Sequence, residues 1–313
     1  MAPDILAAIG GTRLLPLRQL APAGGARILI KMESENPTGS MKDRMALAIV
    51  RAARADGRLR LGGPVVEYTG GSTGVSLALV CAALGHPLDI VTSDAFQREK
   101  LDHMRILGAR LQVLPSDGGR MTAELTRAMI AAAGGIAAGT GAFWVDQMRN
   151  PDPLPAYGAM ADELLDQAGG AVDALVQSVG TAASLRGMAG RLRERCPAVH
   201  IVAVEPEESP VLSGGAPGGH GIDGVGAGFV VPLWREGIAD GIERVSTDEA
   251  IATALRLART EALFAGTSTG ANVAAAIRVA RRLGPGHTVA TILCDTGMKY
   301  LGRFGPILAG QPV

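Results

Sequence analysis

The chain reads as an α/β protein of two domains, each a mostly parallel twisted sheet flanked by helices. Three observations predict this. Short β-rich apolar runs alternate with segments of helical periodicity, the pattern of parallel strands joined by crossover helices. Eight such strands over 313 residues suit two sheets better than one. Pro151, Pro153 and Pro155 punctuate a plausible connection between the two halves.

The first expected strand is 27–31, followed by the turn residues Asn36, Pro37 and Gly39 and a helix over 41–56, with Ser40 as its N-cap. Strand 65–68 runs into Thr69-Gly70-Gly71-Ser72-Thr73-Gly74, which opens a helix over 74–85. Strands 88–92 and 111–114 precede helices 97–107 and 120–133. Strand 143–146 leads through the prolines to helix 158–168. Strand 174–178 is followed by Gly180-Thr181-Ala182-Ala183-Ser184 and helix 183–195. Strand 200–205 enters a long Gly/Pro-rich tract, 214–228, before helix 247–264. Helix 270–283 and strand 288–294 complete the pattern. In open α/β sheets ligands bind beyond the carboxyl ends of strands, so the loops after strands are the places to look.

Composition narrows the function. Thirty Lys and Arg against thirty Asp and Glu leave no net charge, which argues against nucleic acid. Three cysteines far apart, with no CxxC pair, suit reduced thiols in a cytoplasmic protein rather than disulfides or a zinc ribbon. The five histidines lack metal-ligand spacing, so no metal is expected. Two uncharged stretches, 68–88 and 128–145, are cut by glycines and read as strand–loop–helix and helix–loop–strand buried in protein, not as membrane spans. Glycine is the anomaly: 43 residues, about twice the usual ~7 % share. Aromatic residues are only 3 %.

The glycine loops do not follow the common nucleotide motifs. No GxxxxGK[ST] occurs, and Gly224-Val225-Gly226-Ala227-Gly228 lacks the flanking strand and helix of a dinucleotide fingerprint. Loops 69–74 and 180–184 instead put hydroxyls and backbone N–H groups at helix N-termini, where the dipole favours anions. Each alone reads as an ordinary βα turn with capping residues. Together they invite a ligand carrying both a phosphate and a carboxylate. Lys42, in the first turn of its helix, is a cation opposed by the dipole. It reads either as a solvated lysine or as an amine used in Schiff-base chemistry.

The run Asn36-Pro37-Thr38-Gly39-Ser40-Met41-Lys42-Asp43-Arg44 resembles the cofactor-lysine motif of the cysteine synthase (O-acetylserine sulfhydrylase) and cystathionine β-synthase family. The resemblance extends along nearly the whole chain: Ile9–Thr12, the run from Ala203 to Gly215, Gly224–Phe229, and Asp295-Thr296-Gly297 with Tyr300-Leu301. These are pyridoxal-phosphate enzymes of fold type II, built like the tryptophan synthase β-subunit. The resemblance implies a small domain over 39–150 and a large domain made of 1–38 and 151–313. It implies that Lys42 carries pyridoxal 5'-phosphate as an aldimine and removes the substrate Cα proton, with an α-aminoacrylate following. Gly180, Thr181, Ala182, Ala183 and Ser184 would hold the cofactor phosphate. Ser268 would face the pyridine nitrogen, a weak electron sink suited to β-elimination and β-replacement; alone it reads as a helix cap. Thr69, Gly70, Gly71, Ser72 and Thr73 would bind the substrate carboxylate, with Gln147 closing on it, and Ser72 would also contact the cofactor.

The implied reaction is β-replacement on O-acetyl-L-serine by sulfide, giving L-cysteine and acetate. Cystathionine β-synthase activity, another thiol or amine nucleophile, or O-phosphoserine as donor are the alternatives. A non-catalytic binding protein is opposed by the intact Lys42, Gln147 and Ser268. A homodimer, and the tail of a serine acetyltransferase as a partner, are family expectations. The chain departs from the family where Thr-Ser-Gly-Asn-Thr-Gly becomes Thr-Gly-Gly-Ser-Thr-Gly at 69–74. It departs again where Gly-Thr-Gly-Gly-Thr becomes Gly-Thr-Ala-Ala-Ser at 180–184. Ala182 and Ala183 are expected to hold backbone conformations open to ordinary residues.

Overall fold

A computed structural model describes residues 4–119 and 122–309. Its elements in chain order begin with β1 (Leu14–Pro16), β2 (Arg27–Met32), α1 (Lys42–Ala55), β3 (Val65–Tyr68) and α2 (Ser72–Leu84). Then come β4 (Leu88–Ser93), α3 (Arg98–Ile106), β5 (Arg110–Leu114), α4 (Ala123–Thr140) and β6 (Phe143–Trp144). They continue with α5 (Leu154–Ala168), β7 (Ala174–Ser178), α6 (Ala183–Arg195), β8 (His200–Pro206) and β9 (Gly241–Val245). The last are α7 (Thr247–Glu261), α8 (Thr267–Leu283), β10 (Thr288–Leu293) and α9 (Leu301–Ala309). Two compact units result. One takes Lys42–Asp152 with the described chain ends, up to Ile9 and from Gly297 on; the other takes Gly10–Met41 and Pro153–Thr296. The division drawn from the sequence leaves both chain ends with the other unit.

The first unit is built on a four-stranded sheet, order β5-β4-β3-β6, with every neighbouring pair parallel. Val66, Tyr68 and Val91 pack with Met129 and Ala133 of α4 and with Trp144. Helix α1 buries Met45, Ile49, Val50 and Ala53 along one stripe, the helical spacing that a core-facing helix requires.

The second unit carries a six-stranded sheet, order β1-β2-β10-β7-β8-β9, parallel throughout except for β1 on β2. Its two central strands, β10 and β7, are buried at every residue, which is why 174–178 and 288–293 read as largely apolar runs. Ile28, Ile30, Val176, Val202 and Val289 form one core with Val273, Ala275 and Ile277 of α8. Helices α5 and α6 pack so closely that a Cβ at Gly187 would lie 2.6 Å from the Leu154 carbonyl oxygen and 2.8 Å from Tyr157 Cβ.

The eight expected strands all form. Two further strands, β1 and β9, lie at the edges of the larger sheet. Three residues ending in proline, and the half-exposed Gly241-Ile242-Glu243-Arg244, carry too little apolar signal to announce a strand. Strand β6 is only two residues long because the chain turns at Asp146, whose φ is +43°. Helix α4 runs on to Thr140 through Gly134, Gly135 and Gly139, although glycine discourages helix interiors. Residues 120 and 121 of the helix expected there lie outside the described residues. Ser40, the expected N-cap, forms a backbone bridge to Asp295, and the helix begins two residues later at Lys42. Among the described residues no helix is long and apolar enough to cross a membrane.

Gly187→Ala should lower the unfolding free energy by about 1–3 kcal/mol, because the added methyl meets backbone rather than a movable side-chain end. Urea unfolding monitored by circular dichroism measures it, and an unchanged midpoint would contradict the close α5–α6 packing.

Candidate active site

The approach to Lys42 is fixed within the second unit. Strand β2 leads to Glu33, whose carboxylate accepts from Thr12 Oγ1 at 2.7 Å and from Asn36 Nδ2 at 2.8 Å. Asn36 Oδ1 accepts from Gly10 N at 2.9 Å, and the Asn36 carbonyl accepts from Gly39 N at 2.7 Å, closing a turn. Gly39 has φ +72°, and a Cβ there would come within 2.6 Å of Thr296 Cγ2, so only glycine fits on either count. The segment then pairs with the chain just beyond β10. Thr296 N donates to the Gly39 carbonyl at 2.9 Å, Ser40 bridges Asp295, and Met41 N donates to the Cys294 carbonyl at 2.9 Å. Lys42 is the next residue, the first of α1.

The loop 180–184 follows β7 in the same unit. Gly226 N donates to the Val179 carbonyl at 3.1 Å, and a Cβ at Gly180 would lie 2.4 Å from the Gly224 carbonyl oxygen. Gly180 is therefore required where two backbones meet. Ala182 is the N-cap residue of α6 and sits at φ +68°, a left-handed conformation. This corrects the expectation that alanine there avoids glycine-like φ. The first N–H groups of a helix have no partner inside it, so the start of α6 offers donors. Ser184 Oγ accepts from Gln177 Nε2 at 2.7 Å. Gln177 is wholly buried on β7, and nothing in the sequence pattern singled it out. Ser178 Oγ, also buried, has no hydrogen-bond partner at the end of the strand.

Helix α8 starts beside these strand ends. Asn272 Oδ1 accepts from Ser178 N at 2.7 Å, and its Nδ2 donates to the Ile292 carbonyl at 2.9 Å. Thr269 Oγ1 accepts from Cys294 N at 3.0 Å. Asn272 and Thr269 thus tie the first turn of α8 to β7 and β10, and Ser268 lies buried in that turn. Gly266, not Ser268, is the N-cap residue.

The first unit carries the other expected loop. β3 and β6 are parallel neighbours, so the residues after each emerge at the same end of the sheet. Gly71 N donates to Thr69 Oγ1 at 3.1 Å, and a Cβ at Gly70 would run into the Phe96 ring at 1.9 Å. Thr73 Oγ1 donates to Gln147 Oε1 at 2.8 Å, while Gln147 Nε2 donates to the Tyr68 carbonyl at 3.4 Å. The structure therefore brings Thr73 and Gln147 together across two strand ends. Ser72 opens α2, and its Oγ accepts from Lys299 Nζ at 3.3 Å. Beneath the loop, Glu67 is fully buried and accepts from Tyr68 N at 2.9 Å and Gln147 N at 3.2 Å. Burial is the largest influence on its carboxyl and, despite these two bonds, pushes its pKa up to about 8. No described group of three or more His, Cys, Asp or Glu could hold a metal ion.

Comparison with known proteins completes the description. A family model described as "Pyridoxal-phosphate dependent enzyme" matches residues 5–295. The chain is 38 % identical over 300 residues to cysteine synthase of Staphylococcus aureus, covering 95 % of each chain. It is similar in structure to an O-ureido-L-serine synthase, with TM-score 0.92, 33 % identity, and 100 % of this chain and 96 % of that one covered. It is also similar to the cysteine synthase of Entamoeba histolytica, with TM-score 0.91, 32 % identity, and 100 % and 93 % covered.

The residues present suit such a cofactor. Loop 180–184 offers hydroxyl and backbone donors at a helix start, and none of its five residues is acidic. The orphaned Ser178 hydroxyl adjoins that loop. Lys42 would supply the amine.

Two predictions follow from this geometry. Ala182→Gly should raise the unfolding free energy by about 1 kcal/mol, the cost of holding an L-residue in the left-handed region; chemical denaturation checks it. Glu67 holds its proton in the folded chain to about pH 8 but loses it near 4.5 once unfolded. Unfolding in that window releases a proton, so stability should fall as pH rises from about 5 to 8. Urea midpoints across that range should decline less steeply in Glu67→Gln than in the native chain.

Proposed function

The chain belongs to the pyridoxal-phosphate dependent enzymes, and on that premise we propose that it joins sulfide to the β-carbon of O-acetyl-L-serine, giving L-cysteine and acetate. The similarity to cysteine synthase over 95 % of both chains carries this reading. Pyridoxal phosphate, when bound, supplies an electron-withdrawing ring that stabilises negative charge at the substrate Cα.

The chain's own residues do the rest. The first turn of α6, with Thr181 and Ser184, would hold the phosphate by backbone and hydroxyl donors. The turn 69–73 and the start of α2 bind the substrate carboxylate, and Gln147, tied to Thr73, orients that loop. This fixes the α-proton toward Lys42. Lys42 Nζ takes the proton from Cα as the Cβ–O bond breaks and acetate leaves with the bonding pair. The sulfide sulfur then bonds to Cβ, and Lys42 Nζ returns the proton to Cα. Ser268 would face the ring nitrogen with a neutral hydroxyl, which suits fast loss of a β-substituent. The reading includes a homodimer, checked by sedimentation. It also includes docking of a serine acetyltransferase tail, checked by calorimetry with a peptide of that tail.

Protein loaded with the cofactor should convert O-acetyl-L-serine and sulfide to cysteine, followed by a colorimetric cysteine assay. Lys42→Ala should lose about 10²–10⁴-fold in turnover, the usual worth of a positioned base. A Lys42→Ala protein with native turnover would overturn the assigned role. Consumption of O-acetyl-L-serine without sulfide incorporation would move the nucleophile to another thiol or an amine.

A further inference from the structure

Lys299 is buried, with only 6 % exposed, and it reaches the loop on which the proposed function places the substrate carboxylate. It sits on the 3₁₀ turn Gly297–Tyr300, and α3 holds that turn in place. The Tyr300 ring lies 4.0 Å over the Lys100 ammonium, and Gly302 N donates to Glu99 Oε1 at 3.0 Å. One turn further along α3, Met104 packs against the first turn of α2, where a Cβ at Gly74 would meet Met104 Cε at 2.6 Å. A single helix therefore sets both Lys299 and Ser72. His103, on the same helix, has its pKa lowered by burial first and by the Lys299 charge second, with Asp43 opposing.

The bond between them has a fixed direction. An ammonium has three donors and no acceptor, so Lys299 Nζ occupies a lone pair of Ser72 Oγ. A hydroxyl that accepts from a cation becomes a stronger donor through its own proton. That hydroxyl stands at the first residue of α2, beside helix N–H groups whose dipole favours an anion. Serine is shorter than the asparagine that the cysteine synthase family has here, and a charge behind it offsets the lost reach and donor strength.

We propose that Lys299 is a positioning residue for the reaction, acting through Ser72 to aim a polarised hydroxyl at an anionic oxygen of the bound substrate or cofactor. The inference rests on the reading of 69–73 as a ligand-binding loop. Lys299 touches neither ligand, and its effect vanishes when the serine hydroxyl is removed.

A double-mutant cycle on the cofactor-loaded enzyme tests this. Ser72→Ala, Lys299→Met, the double variant and Lys299→Arg are compared for the KM of O-acetyl-L-serine, the calorimetric Kd of L-alanine, and the visible absorbance without substrate. Each single variant should weaken amino-acid binding about tenfold, the value of one charge-assisted hydrogen bond. The double variant should match the singles, and Lys299→Arg should recover most of the loss. Effects on KM and Kd assign the oxygen to the substrate carboxylate; an equal shift of the absorbance band in both single variants assigns it to the cofactor. Additive losses overturn the proposal, because Lys299 would then act independently of Ser72. A loss in Ser72→Ala with none in Lys299→Met also overturns it while leaving the loop's role standing. No change in Ser72→Ala by any measure overturns the loop reading itself. Circular dichroism and urea midpoints separate misfolding of Lys299→Met from a binding effect, and the arginine variant retains the charge.

Discussion

The pairing of residues 36–41 with 294–296 is the constraint on which the candidate site depends. A lysine has four rotatable bonds, and a reacting nitrogen must be held to a fraction of an ångström to be useful. The side chain cannot supply that by itself, so the backbone does. The turn closed by Asn36 and Gly39, the Ser40–Asp295 bridge and the bond from Met41 N to the Cys294 carbonyl leave the start of α1 no freedom to slide. The same strand end also bonds to Thr269 through Cys294 N and so holds the turn that carries Ser268.

Hydroxyls take the place of bulky walls in both loops. One serine in each loop has a buried donor behind it: Gln177 for Ser184 and Lys299 for Ser72. A hydroxyl alone can rotate and serve as donor or acceptor. A hydroxyl whose lone pair is already engaged is biased to donate, and that choice suits phosphate and carboxylate. The low aromatic content fits this construction. The abundant glycine is used mainly at turns of positive φ, and in a few places where backbones touch, as at Gly180 against Gly224.

Much of this was legible in the sequence, for a physical reason. Buried parallel strands are mostly apolar, so 65–68, 174–178, 200–205 and 288–294 declared themselves, and the loops following two of them offer hydroxyl and backbone donors. The motif around Lys42 was legible because its turn demands Asn36, Pro37 and Gly39 at fixed spacing. What stayed hidden depends on side chains brought together by folding. Nothing in the sequence pattern singles out Gln177, Glu67 or Lys299, whose partners come from elsewhere in the chain. Ala182 misled for another reason: propensity argues against left-handed alanine, but the chain path between β7 and α6 overrides it.

The pairing between Met41 and Cys294 joins positions about 250 residues apart. Contacts this distant form late, because the loop between them must first be ordered. During synthesis at roughly 5–20 residues per second, Lys42 has been made some tens of seconds before the strand that positions it emerges. The sheet of the first unit, all of whose strands lie between Val65 and Trp144, can form in that interval. The final placement of the backbone that leads into Lys42 therefore belongs to the last stage of folding. A chain halted before β10 would lack the strand end with which residues 39–41 pair.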